Sequence, residues 1–209
     1  MSEQPTVTVS ANVAREVLPD SFVLSAGVRG LGNDAASARA ALVARYTELE
    51  TAAGRLPDSV QLRHGRVTIW PAGPKQRRWE AGRTLSATGT DLESVGAVAD
   101  ALGQFDDVTL SGPEWQVDRD NPAYEELQTE VVREARARAG RYATAVGATL
   151  GRLVEIQDPG VGGGMRIHAA ARFGDAGGSP GQLSELDLTP QTLTITATVN
   201  ARWYLVLPD

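Results

Sequence analysis

The run "TLTITATVNARWYLVL", residues 192–207, constrains the fold more than any other stretch of the chain. Leu193, Ile195, Ala197, Val199, Ala201, Trp203 and Leu205 share one parity, and mostly polar residues hold the other. A period of two fits a strand with one buried face and excludes a helix. Its end differs, because Tyr204 and Val206 make the second face apolar as well. A strand apolar on both faces needs cover on both. The N-terminal run mirrors it, with Val7, Val9, Ala11 and Val13 on one face. Two long terminal strands therefore demand a sheet, and helices to cover it.

The interior supplies those helices. Asn33 or Asp34 caps a segment whose stripe runs Ala35, Ala38, Leu42, Tyr46, Leu49 and Ala53, with Gly54 as its stop. "TDLESVGAVADALG" carries a capping box from Thr90 to Glu93 and ends at Gly103. Asn121 caps the longest helix, Pro122 suits its first turn, and Tyr124, Leu127, Val131, Ala135, Tyr142 and Val146 form its stripe. Acids lie early in it and arginines late, which complements the helix dipole, and Glu134 pairs with Arg138 one turn on. Further strands are predicted at 21–29, 59–72 with a bulge near Gly65, 77–89, around Val108 and Leu110, and at 151–157. The first two strands, split by "LPD", read as a hairpin or as sheet neighbours. The mixture is α+β: mainly antiparallel sheet packed against three helices, one of them long. With 209 residues the chain suits a single domain, or two intertwined lobes, carrying a Gly-rich insertion at about 158–187.

The same order of elements resembles the SIMPL-domain family of bacteria, named for association with a Pelle-like kinase. The most specific marker is the pattern of Ala139, Ala143, Gly147, Leu150, Gly151, Leu153 and Ile156, and "LTITATVNARWYLV" is the second. The resemblance covers nearly the whole chain. It implies an α+β fold, a biochemical activity that is largely unknown, and no catalytic motif to carry over. It also implies self-association or stress protection, as in some members. Many members are exported. Here "MSEQPTVTVSANV" has no basic or apolar leader segment, so a soluble cytoplasmic protein is the expectation.

Composition and motifs exclude several chemistries. There is no cysteine, so disulfides and thiolate sites are absent. A net charge of −6 disfavours nucleic acid and anionic membranes, and no apolar run is long enough to cross a bilayer. "DPGVGGGMRIHAAARFGDAGGSPGQ" meets neither phosphate-binding pattern. Met165 and Arg166 stand where a Walker loop needs Lys and Ser/Thr, and no dinucleotide glycine triplet is complete. It reads as a mobile linker from about Gly160 to Gln182. The two histidines, His64 and His168, form no ligand pair, and no Asp/Glu spacing matches a calcium loop. No cofactor, metal or catalytic residue is expected.

The surface candidates are two. "WPAGPKQRRWEAGR" sets Lys75, Arg77, Arg78 and Arg83 beside Trp70 and Trp79, a combination able to grip an acidic partner, or an ordinary hairpin tip. Tyr204 and Val206 are the expected face of a homo-oligomer. The functional expectation is a non-enzymatic domain acting through protein interaction or self-assembly. Its alternative is a small-molecule or stress-related binding protein with a cleft between sheet and helices.

Overall fold

The computed structural model describes residues 4–73, 78–159 and 188–208. In chain order these form β1 (Thr6–Val17), β2 (Ser21–Gly32), α1 (Ala35–Ala53), β3 (Val60–His64), β4 (Thr68–Ala72) and β5 (Arg78–Gly89). A 3-10 turn (Leu92–Ser94) leads into α2 (Val95–Gly103), then β6 (Val108–Gln116), α3 (Pro122–Ala145), β7 (Thr149–Gln157) and β8 (Leu193–Val206). All strand pairs are antiparallel, so the α+β expectation holds. The elements divide between two compact units.

The first unit holds β1, α3, β7 and β8. Its sheet runs β1-β8-β7, so the C-terminal strand is central and paired on both sides. Val9, Ala11, Val199, Ala201 and Trp203 meet Val131, Ala135 and Ala139 of α3 in one core. Four of these residues are alanines, and small side chains let a helix lie close to a sheet. The α3 stripe departs from expectation at its end. Buried positions continue through Ala139 and Ala143, while Tyr142 and Val146 are exposed. A straight helix keeps one face by steps of three and four, and the smaller residues sit on that face. Glu134 does pair with Arg138, at 3.9 Å, but Arg141 lies nearer at 3.1 Å.

The second unit spans β2 to β6 with α1 and α2. Its sheet runs β3-β5-β2-β6, with β4 also paired to β5. The first two strands are thus neither a hairpin nor neighbours: β1 pairs with β8, and β2 with β5 and β6. Local alternation cannot say which partner a strand finds. The expected strand over 59–72 is two strands on the same flank of β5. His64 faces Leu85 and Thr68 faces Gly82, so residues 65–67 oppose only residues 83 and 84. That extra residue is the bulge expected near Gly65, and Gly65 donates its N–H to the Thr84 carbonyl at 2.8 Å.

Caps set the helix starts. Asp34 accepts from the Ser37 N–H at 2.7 Å while Ser37 Oγ takes the Asp34 N–H, a reciprocal box. The cap ahead of α2 falls one residue later than expected. Asp91, not Thr90, accepts from the Glu93 N–H, because the first turn is 3-10. Asn121 accepts from the Ala123 N–H at 2.8 Å, with Pro122 at the first position of α3.

α1 lies on β2 and β5. Its approach depends on Gly30, where an added Cβ would overlap the backbone N of Leu42 and O of Ala38. Phe22, Leu24, Ala26 and Val28 of β2, with Ala81, Leu85 and Ala87 of β5, are all but fully buried on this helix-covered face.

Candidate functional site

Strand alternation sorts the candidate residues of the second unit onto two faces. Trp70 stands directly opposite Glu80, and Pro71 opposite Trp79. Trp70, Arg78, Glu80 and Gly82 therefore share the face away from the helices, while Trp79 and Arg83 fall on the parity of buried Ala81 and Leu85. The two tryptophans do not build one surface. Lys75 and Arg77 lie outside the described residues, as do His168, the "MRIHAAARF" segment and the Gly-rich stretch from Gly160.

Arg83 is engaged inside the unit. Its Nε donates to the Gly65 carbonyl at 3.0 Å, and its guanidinium stacks 4.3 Å from the centroid of the Tyr46 ring. Tyr46 is buried in α1, and its hydroxyl lies 2.8 Å from Nδ1 of His64. Glu50 Oε1 stands 3.3 Å from the same nitrogen. Burial is the main reason the Tyr46 phenol is pushed up from its ordinary value; Arg83 lowers it and Glu50 raises it. His64 thus belongs to a packing cluster that ties α1 to β3.

The helix-free face is different. Two rows of small polar residues cross it: Ser111, Ser25 and Ser86, then Thr109, Gly27 and Thr84. Ser25 and Ser86 hydroxyls are 3.1 Å apart. A third row sets Arg29 opposite Gly82, and Gly82 opposite Thr68. Trp70 closes one side. An added Cβ at Gly82 would come within 3.2 Å of the indole Cη2, so glycine makes room for the ring. The result is an open groove of about 440 Å³, with Arg29 and Arg66 at its margin. Glu80, opposite Trp70 on the same sheet face, is not among the residues that line it. Its side chain is 15% exposed, and its Oε1 is 3.4 Å from Arg29 Nε but accepts no hydrogen bond from the described residues.

The first unit carries the other candidates. Tyr204 is half-buried, with the Arg152 guanidinium 4.9 Å from its ring centroid. Val206 is exposed at the end of β8, opposite Thr149. Beside them Leu153 and Ile156 of β7 face Trp203 and Ala201 in register yet remain 47% and 46% exposed. These two were quoted in the sequence only as parts of a pattern. Their exposure follows from β7 being a sheet margin, which no local signal states. Among the described residues no three His, Asp or Glu side chains gather to hold a metal, and no helix is long and apolar enough to cross a membrane.

No curated protein matches the chain. The SIMPL family model, described as a protein of unknown function (DUF541), matches residues 7–203, from the core face of β1 to Trp203 in β8, and the chain belongs to that family.

Proposed function

We propose that this chain is a non-enzymatic interaction module that assembles with copies of itself through the β7 margin of the first unit. The carrying observation is the exposed apolar pair Leu153 and Ile156, on a strand that pairs on only one side among the described residues. An exposed apolar surface rimmed by polar residues marks an interaction site. Glu155, Gln157 and Arg202 hold the other face of the same margin, where Arg202 pairs with Glu155 at 2.8 Å. The same unit exposes Val206 at the end of the partner strand and Leu207 just past it. A second copy is the occupant this surface suits, because two such margins related by a twofold axis present the same apolar pair to each other.

Light scattering at micromolar concentration tests it. The parent should show a multiple of the chain mass. Changing Leu153 and Ile156 together to glutamate should return the monomer mass, and Tyr204→Glu should weaken assembly as a neighbour of the same margin. A clean monomer mass for the parent overturns the reading, and so does a Leu153/Ile156 variant that assembles as well as the parent.

A further inference from the structure

We infer that the groove on the helix-free face of the second unit is a binding site for an anionic monosaccharide, a sugar carrying one carboxylate or phosphate. The inference is independent of self-assembly, since every residue that lines the groove belongs to β2 to β6 or to the bulge.

Four observations converge. The first is shape. Gly27 and Gly82 lie diagonally on neighbouring strands and leave a depression between Thr109, Thr84, Arg29 and Trp70. A volume of about 440 Å³ falls within the range of roughly 300–1,000 Å³ usual for small-molecule sites.

The second is the floor. Thr84 and Thr109 present hydroxyls that can donate one hydrogen bond and accept others, while the Ser111 hydroxyl donates to the Ser25 carbonyl and the Ser25 hydroxyl pairs with Ser86, each keeping acceptor capacity. A ligand that is itself rich in hydroxyls can use both capacities. A purely apolar ligand would strand them without partners.

The third is the wall. Trp70 is 38% exposed although its benzo edge rests on Gly82. An exposed indole flank offers a flat apolar surface beside polar groups, which suits the C–H face of a sugar ring.

The fourth is charge. Arg66 makes no ion pair among the described residues, and Arg29 meets Glu80 only at 3.4 Å. Arg29 and Arg66 line the groove together with the engaged Arg83, and no acidic residue lines it, so it is positive in a chain whose net charge is −6. A carboxylate or phosphate would take charge-assisted hydrogen bonds from them. A bare anion would leave Trp70 and the hydroxyls of Thr84 and Thr109 unused, and a neutral sugar would leave Arg66 unused.

The groove is not the expected cleft between sheet and helices. On that side Gly30 brings the α1 backbone onto β2.

The test is calorimetric titration of the full chain at low salt with glucuronate, glucose 6-phosphate, glucose, inorganic phosphate and AMP. One or both anionic sugars should bind at least about fivefold more tightly than glucose or phosphate, and which of the two binds separates carboxylate from phosphate. Trp70→Ala and Arg66→Ala should each weaken that binding at least about fivefold, with circular dichroism and thermal midpoint unchanged. If Trp70→Ala fails to fold, Thr109→Val serves in its place, and it should weaken the sugar while leaving inorganic phosphate unaffected. Equal binding of glucose overturns the inference. Tighter binding of AMP overturns it in favour of a nucleobase on Trp70. Absence of binding by both anionic sugars at millimolar concentration overturns it as well.

Discussion

The hydroxyl of Tyr46 and Nδ1 of His64 lie 2.8 Å apart, joining the middle of α1 to the last residue of β3. The Arg83 guanidinium caps the same ring from β5, and Arg83 Nε holds the bulge at Gly65. One aromatic side chain therefore links a helix, two strands and a bulge. This cluster accounts for the chain's one described histidine and for Arg83 without invoking catalysis.

Tyr46 makes the fold sensitive to alkali. Its phenol is raised above the ordinary value near 10, chiefly by burial. A raised folded value means the neutral form is favoured in the fold. The contribution is complete below about pH 10 and is lost as pH rises through the folded value. Denaturant unfolding at pH 8, 10 and 11 should show the parent losing stability over the upper interval. Tyr46→Phe should start about 1 kcal/mol lower at pH 8, from the lost hydrogen bond, and should show a shallower alkaline decline. Parallel declines in the two proteins would assign the alkaline effect elsewhere.

Arg83→Ala is expected to cost about 1–2 kcal/mol, through the lost hydrogen bond to Gly65 and the exposed Tyr46 ring. Arg83→Lys should recover only part, because an ammonium cannot both stack flat and donate along the strand. Chemical denaturation of the three proteins measures this. A stability unchanged by Arg83→Ala, with lost binding to an acidic ligand instead, would restore Arg83 to the surface role its sequence neighbours suggest.

Gly30→Ala should be severe and Gly27→Ala mild, although both stand in β2. At Gly30 the new methyl would meet the α1 backbone, which cannot give as a side chain can. Overpacking of that kind costs about 3 kcal/mol or more. At Gly27 the nearest atom to an added Cβ is the Thr109 carbonyl oxygen at 3.6 Å, an ordinary contact. Its effect should stay within about 0.5 kcal/mol, the range of a surface change. Thermal midpoints of the two variants, measured side by side, check the contrast.

The contrast also shows what the sequence carried and what it did not. Period and caps were legible: the β8 face, the α1 stripe, Asp34, Asn121 and the bulge at Gly65 all follow from local rules. Partner choice was not. Val7 to Val13 read equally well beside β2 or beside β8, and only the tertiary fold selects β8. The hairpin candidates were split for the same reason. Trp70 and Trp79 read as one aromatic-basic cluster, yet an odd separation along strands places them on opposite faces. Gly30 and Gly32, two apart on one strand face, were the missed signal for a helix lying close. The groove had no linear trace, since its rows are drawn across β4, β5, β2 and β6.

Asp34 ties α1 to the acid limb of stability. Its carboxylate takes the Ser37 N–H and the Ser37 hydroxyl, and these hold it below the ordinary carboxylate value, the backbone bond first. The folded value is depressed, so the contribution is present above the unfolded value near 3.9 and disappears as pH falls through the folded one. Asp34→Asn keeps an acceptor for the Ser37 N–H but removes the titration. It should therefore match the parent's helix content at pH 7 and lose less stability between pH 4 and pH 2. Asp34→Ala removes the acceptor itself, and should be less stable than both at pH 7 with the same shallow acid limb as Asp34→Asn. Thermal unfolding of the three proteins across that range separates cap from charge. An acid limb equally steep in all three would show that Asp34 does not carry it.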